Sequence, residues 1–153
     1  EEVTRVEIPA FACEFWTENA RRTGLENVVH CVEANAFDLL GEQGRAGVKY
    51  GVVILDPPAF TKTRSAIEAA TRGYKEINLR AMKMVKPGGY LITCSCSQHI
   101  LPVAFMQIVR DAAHDAHVQL RQVEYRTQGR DHPILPAAPE TQYLKCGIFQ
   151  IFD

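Results

Sequence analysis

Read from the amino terminus, the chain switches repeatedly between strand-like and helix-like patterning. Thr4 to Ile8 reads as a short strand, and Pro9 stands in a helix-opening position ahead of a helix that runs to about Thr23, where Gly24 supplies the stop. Val28 to Glu33 is strand-like, and Phe37 to Leu40 begins a short helix, after which Gly41, Gly44 and Gly47 loosen the chain. YGVVIL then forms a continuous apolar run that ends abruptly in Asp56-Pro57-Pro58, as expected of a strand buried on both faces. Ser65 and Glu68 have the spacing of a capping box and predict a helix from there to Lys86, closed by Pro87, Gly88 and Gly89. YLITCSC is a second buried strand. A helix follows from Pro102 to about Ala116, with Val103, Met106 and Val109 on one side. Val118 to Tyr125 alternates like a strand, Arg126 to Thr141 is a polar, proline-rich loop, and Tyr143 to Phe152 is the last strand.

This order, β, α, β, α, β, α, β, α, β, β, predicts an α/β fold with a mostly parallel sheet and an antiparallel C-terminal strand. Ligands of such sheets sit at the carboxyl ends of the strands. The residues there are Glu7, the segment Glu33 to Phe37, Asp56 to Phe60, and Cys94 to Ser97.

Composition narrows the class. With 153 residues, 46% apolar and 23% charged, and a net charge of -1, the chain is an ordinary globular protein of one domain's length. Such a chain buries roughly 68–70% of its unfolded surface without a disulfide or metal staple. The sequence shows neither a signal peptide nor an apolar run approaching the roughly 18 residues of a membrane span, so no membrane partner is expected. Five scattered cysteines, an odd number, point to a reducing cytoplasm rather than a disulfide framework. Cys94, Cys96 and His99 have no zinc-site spacing, and no metal is expected.

The near-neutral total conceals an asymmetry: Glu1 to Leu55 carries nine acidic and five basic residues, whereas Phe60 to Tyr90 carries seven basic and two acidic ones. A solvated helix face is the commoner fate of such a basic run. Because the run follows the most unusual motif of the chain, contact with phosphates is the alternative.

That motif is Asp56-Pro57-Pro58-Ala59-Phe60. A strand that ends in a carboxylate and two prolines without N–H groups leaves carbonyls free to aim at a ligand such as the amino group of a base, although a proline-stopped strand looks the same. RGYKEIN (72–78), KPGG (86–89), TCSCS (93–97), and DHP with PETQYLK (131–145) follow in order. With these motifs the chain resembles the class I S-adenosylmethionine-dependent methyltransferases, specifically the 23S rRNA cytosine-C5 methyltransferases of the RlmI type.

The resemblance implies a Rossmann-like methyltransferase sheet, S-adenosylmethionine as cofactor, and RNA, most naturally 23S rRNA, as partner. Glu7 matches the acid that binds the cofactor ribose, and Asn35-Ala36-Phe37 matches an Asp-Ala-Phe whose acid accepts from the adenine amino group. Asn35 retains a carbonyl for that bond but loses the charge, which implies weakened adenine recognition. Asp56 and Pro57 match the motif at cofactor and target base, with Pro58, Phe60, Lys62, Arg72 and Lys75 as candidate substrate contacts. Arg72 and Lys75 can equally pack the catalytic loop.

Cys96 matches the nucleophile. Cytosine C5 is poorly nucleophilic until a thiolate adds at C6, and Asp56 at the N3 side would stabilise the charge that develops. Cys94, one strand step away, is the rival, and both cysteines can simply be buried strand residues.

The family's first strand, its glycine-rich loop and its N-terminal RNA-binding module have no counterpart in residues 1–153. The expectation is therefore a partial catalytic domain with an exposed sheet edge, weak cofactor binding in isolation, and pairing of two copies into a homodimer. Methylation of an exocyclic base amine, which would not need Cys96, and RNA binding without catalysis are the competing functions.

Overall fold

The computed structural model describes residues 2–152. They form two compact units, one up to Arg45 and one from Ala46.

The first unit contains β1 (Val3–Glu7), α1 (Ala10–Arg22), β2 (Val29–Glu33) and α2 (Ala36–Arg45). β1 and β2 pair in parallel, in register from Val3 opposite Val29 to Glu7 opposite Glu33. Pro9 is the residue ahead of α1, and Gly24, at φ +69°, takes the left-handed conformation that ends it. Arg21 and Arg22 in the last turn both bond Glu18, an arrangement suited to the negative end of the helix dipole. The Asn35 side-chain oxygen accepts from the Phe37 N–H at 2.9 Å and so caps α2. That helix runs through Gly41 and Gly44 rather than ending before them; only Gly47, at φ +72°, lies in the connection to the next strand.

The second unit contains β3 (Tyr50–Leu55), α3 (Ile67–Met84), β4 (Val85–Ser95), α4 (Pro102–Ala116), β5 (Gln119–Arg126) and β6 (Lys145–Phe152). The sheet order is β3-β4-β6-β5, with β3 and β4 parallel and β6 antiparallel to both its neighbours. In this sheet β6 alone runs against the other three. The α/β class and the reversed terminal strand are therefore as the sequence predicts. α3 and α4 pack on each other and on the sheet, around Tyr74, Ile77, Met82, Phe105, Val109 and Leu91.

Four further local expectations are corrected. β3 is an edge strand covered on one face only, so Val52 and Ile54 are 52% and 64% exposed while Leu55 is buried. α3 begins at Ile67 after a short 3-10 turn at Arg64–Ala66, and no capping box forms. The Ser65 hydroxyl meets that of Thr63, and Glu68 pairs instead with Arg72 one turn on.

The helix ends at Met84, and Lys86 to Gly89 form an irregularity within β4, where β3 advances from Tyr50 to Val52 while β4 advances from Val85 to Tyr90. Gly88 sits at φ +79°, and a Cβ on Gly89 would stand 2.6 Å from the Gly51 carbonyl oxygen. Finally, α4 buries Phe105, Ile108, Val109, Ala112 and Ala116, a stripe rotated from the predicted one, and leaves Val103 78% exposed.

Candidate active site

In the second unit, the site is built where β3 and β4 end. β3 delivers the chain into Asp56-Pro57-Pro58, with Asp56 and Pro58 exposed and Pro57 half-buried. Phe60 anchors this loop: its ring lies 4.5 Å from that of Tyr74 on α3, and Tyr74 in turn meets Phe105 edge-on at 5.8 Å. Gly73 permits the approach, because a Cβ there would come within 3.2 Å of the Phe60 ring. Phe60 thus holds the loop to α3.

β4 ends at Ser95 and the chain runs on through Cys96 and Ser97, with the two serines buried. Ser97 is a hub. Its hydroxyl meets the Tyr74 hydroxyl at 2.9 Å and accepts from the Thr61 N–H at 3.4 Å, and its carbonyl accepts from Lys145 Nζ at 2.7 Å. The Ser97 N–H donates to the Ser95 hydroxyl. Tyr74, Ser95 and Ser97 are fully buried. This network ties α3, β4, β6 and the loop after Asp56 to the backbone on either side of Cys96.

Cys96 itself faces a cleft of about 340 Å³, whose walls include Ala59, Thr61, Lys62, His99 and Tyr143. That volume is in the range of small-ligand sites.

Cys94 has different surroundings. It lies opposite Cys146 across the β4–β6 ladder, and burial, followed by the hydrogen bond with the Cys146 thiol, pushes its thiol far above the usual range; the charge of Asp56 adds to the shift. Burial pulls the Lys145 ammonium down to about 8, opposed by the charge of Cys96.

Of the basic candidates, Lys62 reaches the cleft wall. Arg72 is paired with Glu68 along α3, and Lys75 bonds Asp115 of α4 at 2.7 Å; neither lines the cleft. Arg80 is likewise paired with Glu76. Much of the basic run is therefore a compensated helix face. Among the described residues, no cluster of three or more His, Cys, Asp or Glu is placed to hold a metal, and no helix is long and apolar enough to cross a membrane. All five cysteines are unbridged.

In the first unit, Glu7 ends β1 and accepts from Arg5 Nε and Nη2 on one carboxylate oxygen, at 2.9 and 2.6 Å. The other oxygen takes no part in this pair. Asn35 spends one lone pair of its carbonyl on the Phe37 N–H, which engages the N–H of Phe37 as well, and a second lone pair remains. Glu7 and Asn35 thus keep acceptors of the kind that ribose hydroxyls and an adenine amino group require, so they fit the nucleoside half of the expected cofactor. A larger, open hollow of about 480 Å³ in this unit, walled by Cys13, Glu14, Thr17 and Glu33, contains neither residue.

No family model matches the chain. It is 40% identical over 144 residues to the ribosomal RNA large subunit methyltransferase I of Shewanella denitrificans, covering 94% of this chain and 36% of that protein. It is 46% identical over 114 residues to the protein of the same name from Vibrio campbellii, covering 74% and 29%. The chain therefore spans about a third of the length of the curated relatives it matches.

Among solved structures, it superposes on SMU.776, a methyltransferase complexed with SAH, with TM-score 0.83 at 14% identity, over 97% of this chain and 39% of that one. NSun6 from Pyrococcus horikoshii gives TM-score 0.69 at 19% identity, over 97% and 41%. These likenesses establish a Rossmann-like methyltransferase fold.

Proposed function

We propose that this chain, a sequence relative of the ribosomal RNA large subunit methyltransferase I proteins over most of its length, is the base-binding part of an S-adenosylmethionine-dependent RNA methyltransferase that modifies cytosine at C5 through a Cys96 adduct. The observation that carries this reading is the placement of Cys96, and not Cys94, on the wall of a cleft of small-ligand size. Homology over 94% of the chain supports ribosomal RNA as the substrate class.

The cofactor, when bound, supplies an electrophilic methyl group. Glu7 and the Asn35 carbonyl would hold its nucleoside half. The Cys96 sulfur adds to C6 of the base, which moves electron density onto C5 and makes that carbon able to take a methyl group. Asp56 serves the N3 side of the ring, where charge builds during the addition. Removal of the C5 proton then lets the C6–S bond break and returns the thiolate. Lys62 neutralises a phosphate next to the target base, and Pro57 and Pro58 keep the β3 exit free of N–H groups.

The test uses the full-length polypeptide that carries this chain. RNA containing 5-fluorocytosine should form a covalent complex that survives denaturation, because a C5–F bond cannot be cleaved as the C5–H bond is. Cys96→Ala should abolish both the complex and methyl transfer, whereas Cys94→Ala should retain them. Methyl transfer that persists in Cys96→Ala would move the assignment to an exocyclic amine, and salt-dependent RNA binding with no transfer at all would leave a binding module.

A further inference from the structure

One face of β6 presents Lys145, Gly147, Phe149 and Ile151 at successive buried positions. A lysine thus ends an otherwise apolar run of positions, opposite the buried Ser95 of β4, and it is only 3% exposed. Its Nζ bonds the Ser97 carbonyl, and among the described residues no carboxylate pairs with it. An ammonium buried without a counter-charge is unfavourable, and its bond to the Ser97 carbonyl offsets that cost only in part. Through that bond the amine is tied to the residue next to Cys96, whose charge opposes the effect of burial on Lys145.

The other ionisable groups around it are few. Cys94 on β4 and Cys146 on β6 bond each other, the Tyr74 hydroxyl reaches it through Ser97, and Asp56 acts on Cys94. Lys62, His99 and Tyr143 line the cleft beyond.

We propose that Lys145 is a positioning residue of the cleft: it clamps the carbonyl next to Cys96 and supplies the buried positive charge against which the Cys96 sulfur reacts. The amine sits behind the cleft wall, tied to Ser97, and acts through Cys96 without touching a bound base. The inference rests on Cys96 being the cleft nucleophile, but its test needs neither cofactor nor RNA, so the two can fail separately.

The 153-residue chain is treated with iodoacetamide across a pH series, and each cysteine is followed by peptide mass spectrometry. Lys145→Met should slow Cys96 alkylation at neutral pH by about tenfold and move its pH profile upward, with Cys13 as an unaffected internal reference. Lys145→Arg, which keeps the charge, should restore most of the rate. An unchanged Cys96 profile in folded Lys145→Met overturns the proposal.

Should that variant not fold, the same coupling is read from the other side. The side-chain carbon resonances of Lys145 are titrated in the unaltered chain and in Cys96→Ser. Coupling is reciprocal, so the Lys145 midpoint should fall by about half a pH unit or more when the thiol is removed. Identical titrations overturn the proposal.

Discussion

The two units bury their helices very differently. In the second, α3 buries Tyr74, Ile77, Asn78, Met82 and Met84, and α4 buries Phe105, Ile108 and Val109. In the first, α1 buries Ala20 alone, α2 buries nothing, and Ile8, Phe11 and Phe15 are each at least 65% exposed. One unit is held by a core; the other is held by local devices, namely a two-strand ladder, the Asn35 cap, the Glu18 ion pairs and the Arg5 guanidinium 4.7 Å from the Trp16 ring centre. The built part of the candidate site, with Cys96 and the hydrogen-bond network beside it, lies in the unit that has the core. Local rules suffice to shape helices and a strand pair, but fixing a side chain against a cleft takes a packed layer behind it.

The comparison breaks most visibly if core truncations prove as mild in the second unit as in the first. Phe105→Ala removes the ring beneath Tyr74 and should cost about 3–5 kcal/mol in denaturant unfolding. Phe15→Ala, from an exposed ring, should stay within about 0.5 kcal/mol. Similar losses for the two variants would mean that the first unit has a core after all.

Tyr74→Phe probes the same core at its polar end. It removes one hydrogen bond to the Ser97 hydroxyl, which keeps its bond from Thr61, and should cost about 1–2 kcal/mol. The variant should also blunt Cys96 alkylation less than Lys145→Met does, because the charge remains. A larger effect than that of Lys145→Met would give the orienting role to the hydroxyl network instead.

Much of this architecture is legible in the sequence because it follows from chain-local chemistry. Pro9 and Gly24 bracket α1, and the apolar runs at 50–55 and 90–95 are strands. What is not legible depends on which face a neighbour covers. YGVVIL reads as buried on both sides, yet it is the sheet edge in its unit, and the apolar side of α4 is set by Phe105 and Ile108 rather than Val103.

At the site, Asp56, Pro57 and Cys96 stand out with a role attached. Tyr74, Ser97 and Lys145 lie inside the motifs RGYKEIN, TCSCS and PETQYLK, but the sequence assigns them no contact with one another. One signal was available for Lys145: in the last strand it shares parity with Gly147, Phe149 and Ile151, so a buried lysine follows from period-two reading alone. Its partner, the Ser97 carbonyl, is 48 residues away and required the fold.

A smaller effect concerns Lys62 against the paired cations of α3. If the cleft binds single-stranded RNA, Lys62→Ala should lower the slope of log affinity against log salt by about 0.7, the share of one phosphate contact. Arg72→Ala and Lys75→Ala, whose charges are engaged by Glu68 and Asp115, should lower it less. Equal slopes for all three would return phosphate binding to the helix face. Binding isotherms at four or five salt concentrations decide it.

The smallest effect is expected in the first unit and concerns acid. Hydrogen bonds from Arg21 and then Arg22 hold the Glu18 carboxyl down at about 2, against 4.5 in an unfolded chain. A carboxylate whose pKa is depressed by folding contributes stability that is fully present above the unfolded value and is lost as pH falls through the folded one. The last two turns of α1 should therefore loosen between pH 4.5 and 2; in the second unit acid also weakens surface pairs such as Lys75–Asp115, but the buried residues of α3 should keep their protection because apolar packing holds them. Because the pair is exposed to solvent, the change is small and local, and it should weaken further in high salt. Amide hydrogen exchange at Asn19 to Arg22, measured at pH 5 and pH 2.5 and corrected for intrinsic rates, should show lost protection that Glu18→Gln already lacks at pH 5. Equal loss at the buried residues of α3 would show that acid acts on the packed core as well, and the division between a core-held and a locally held unit would then fail.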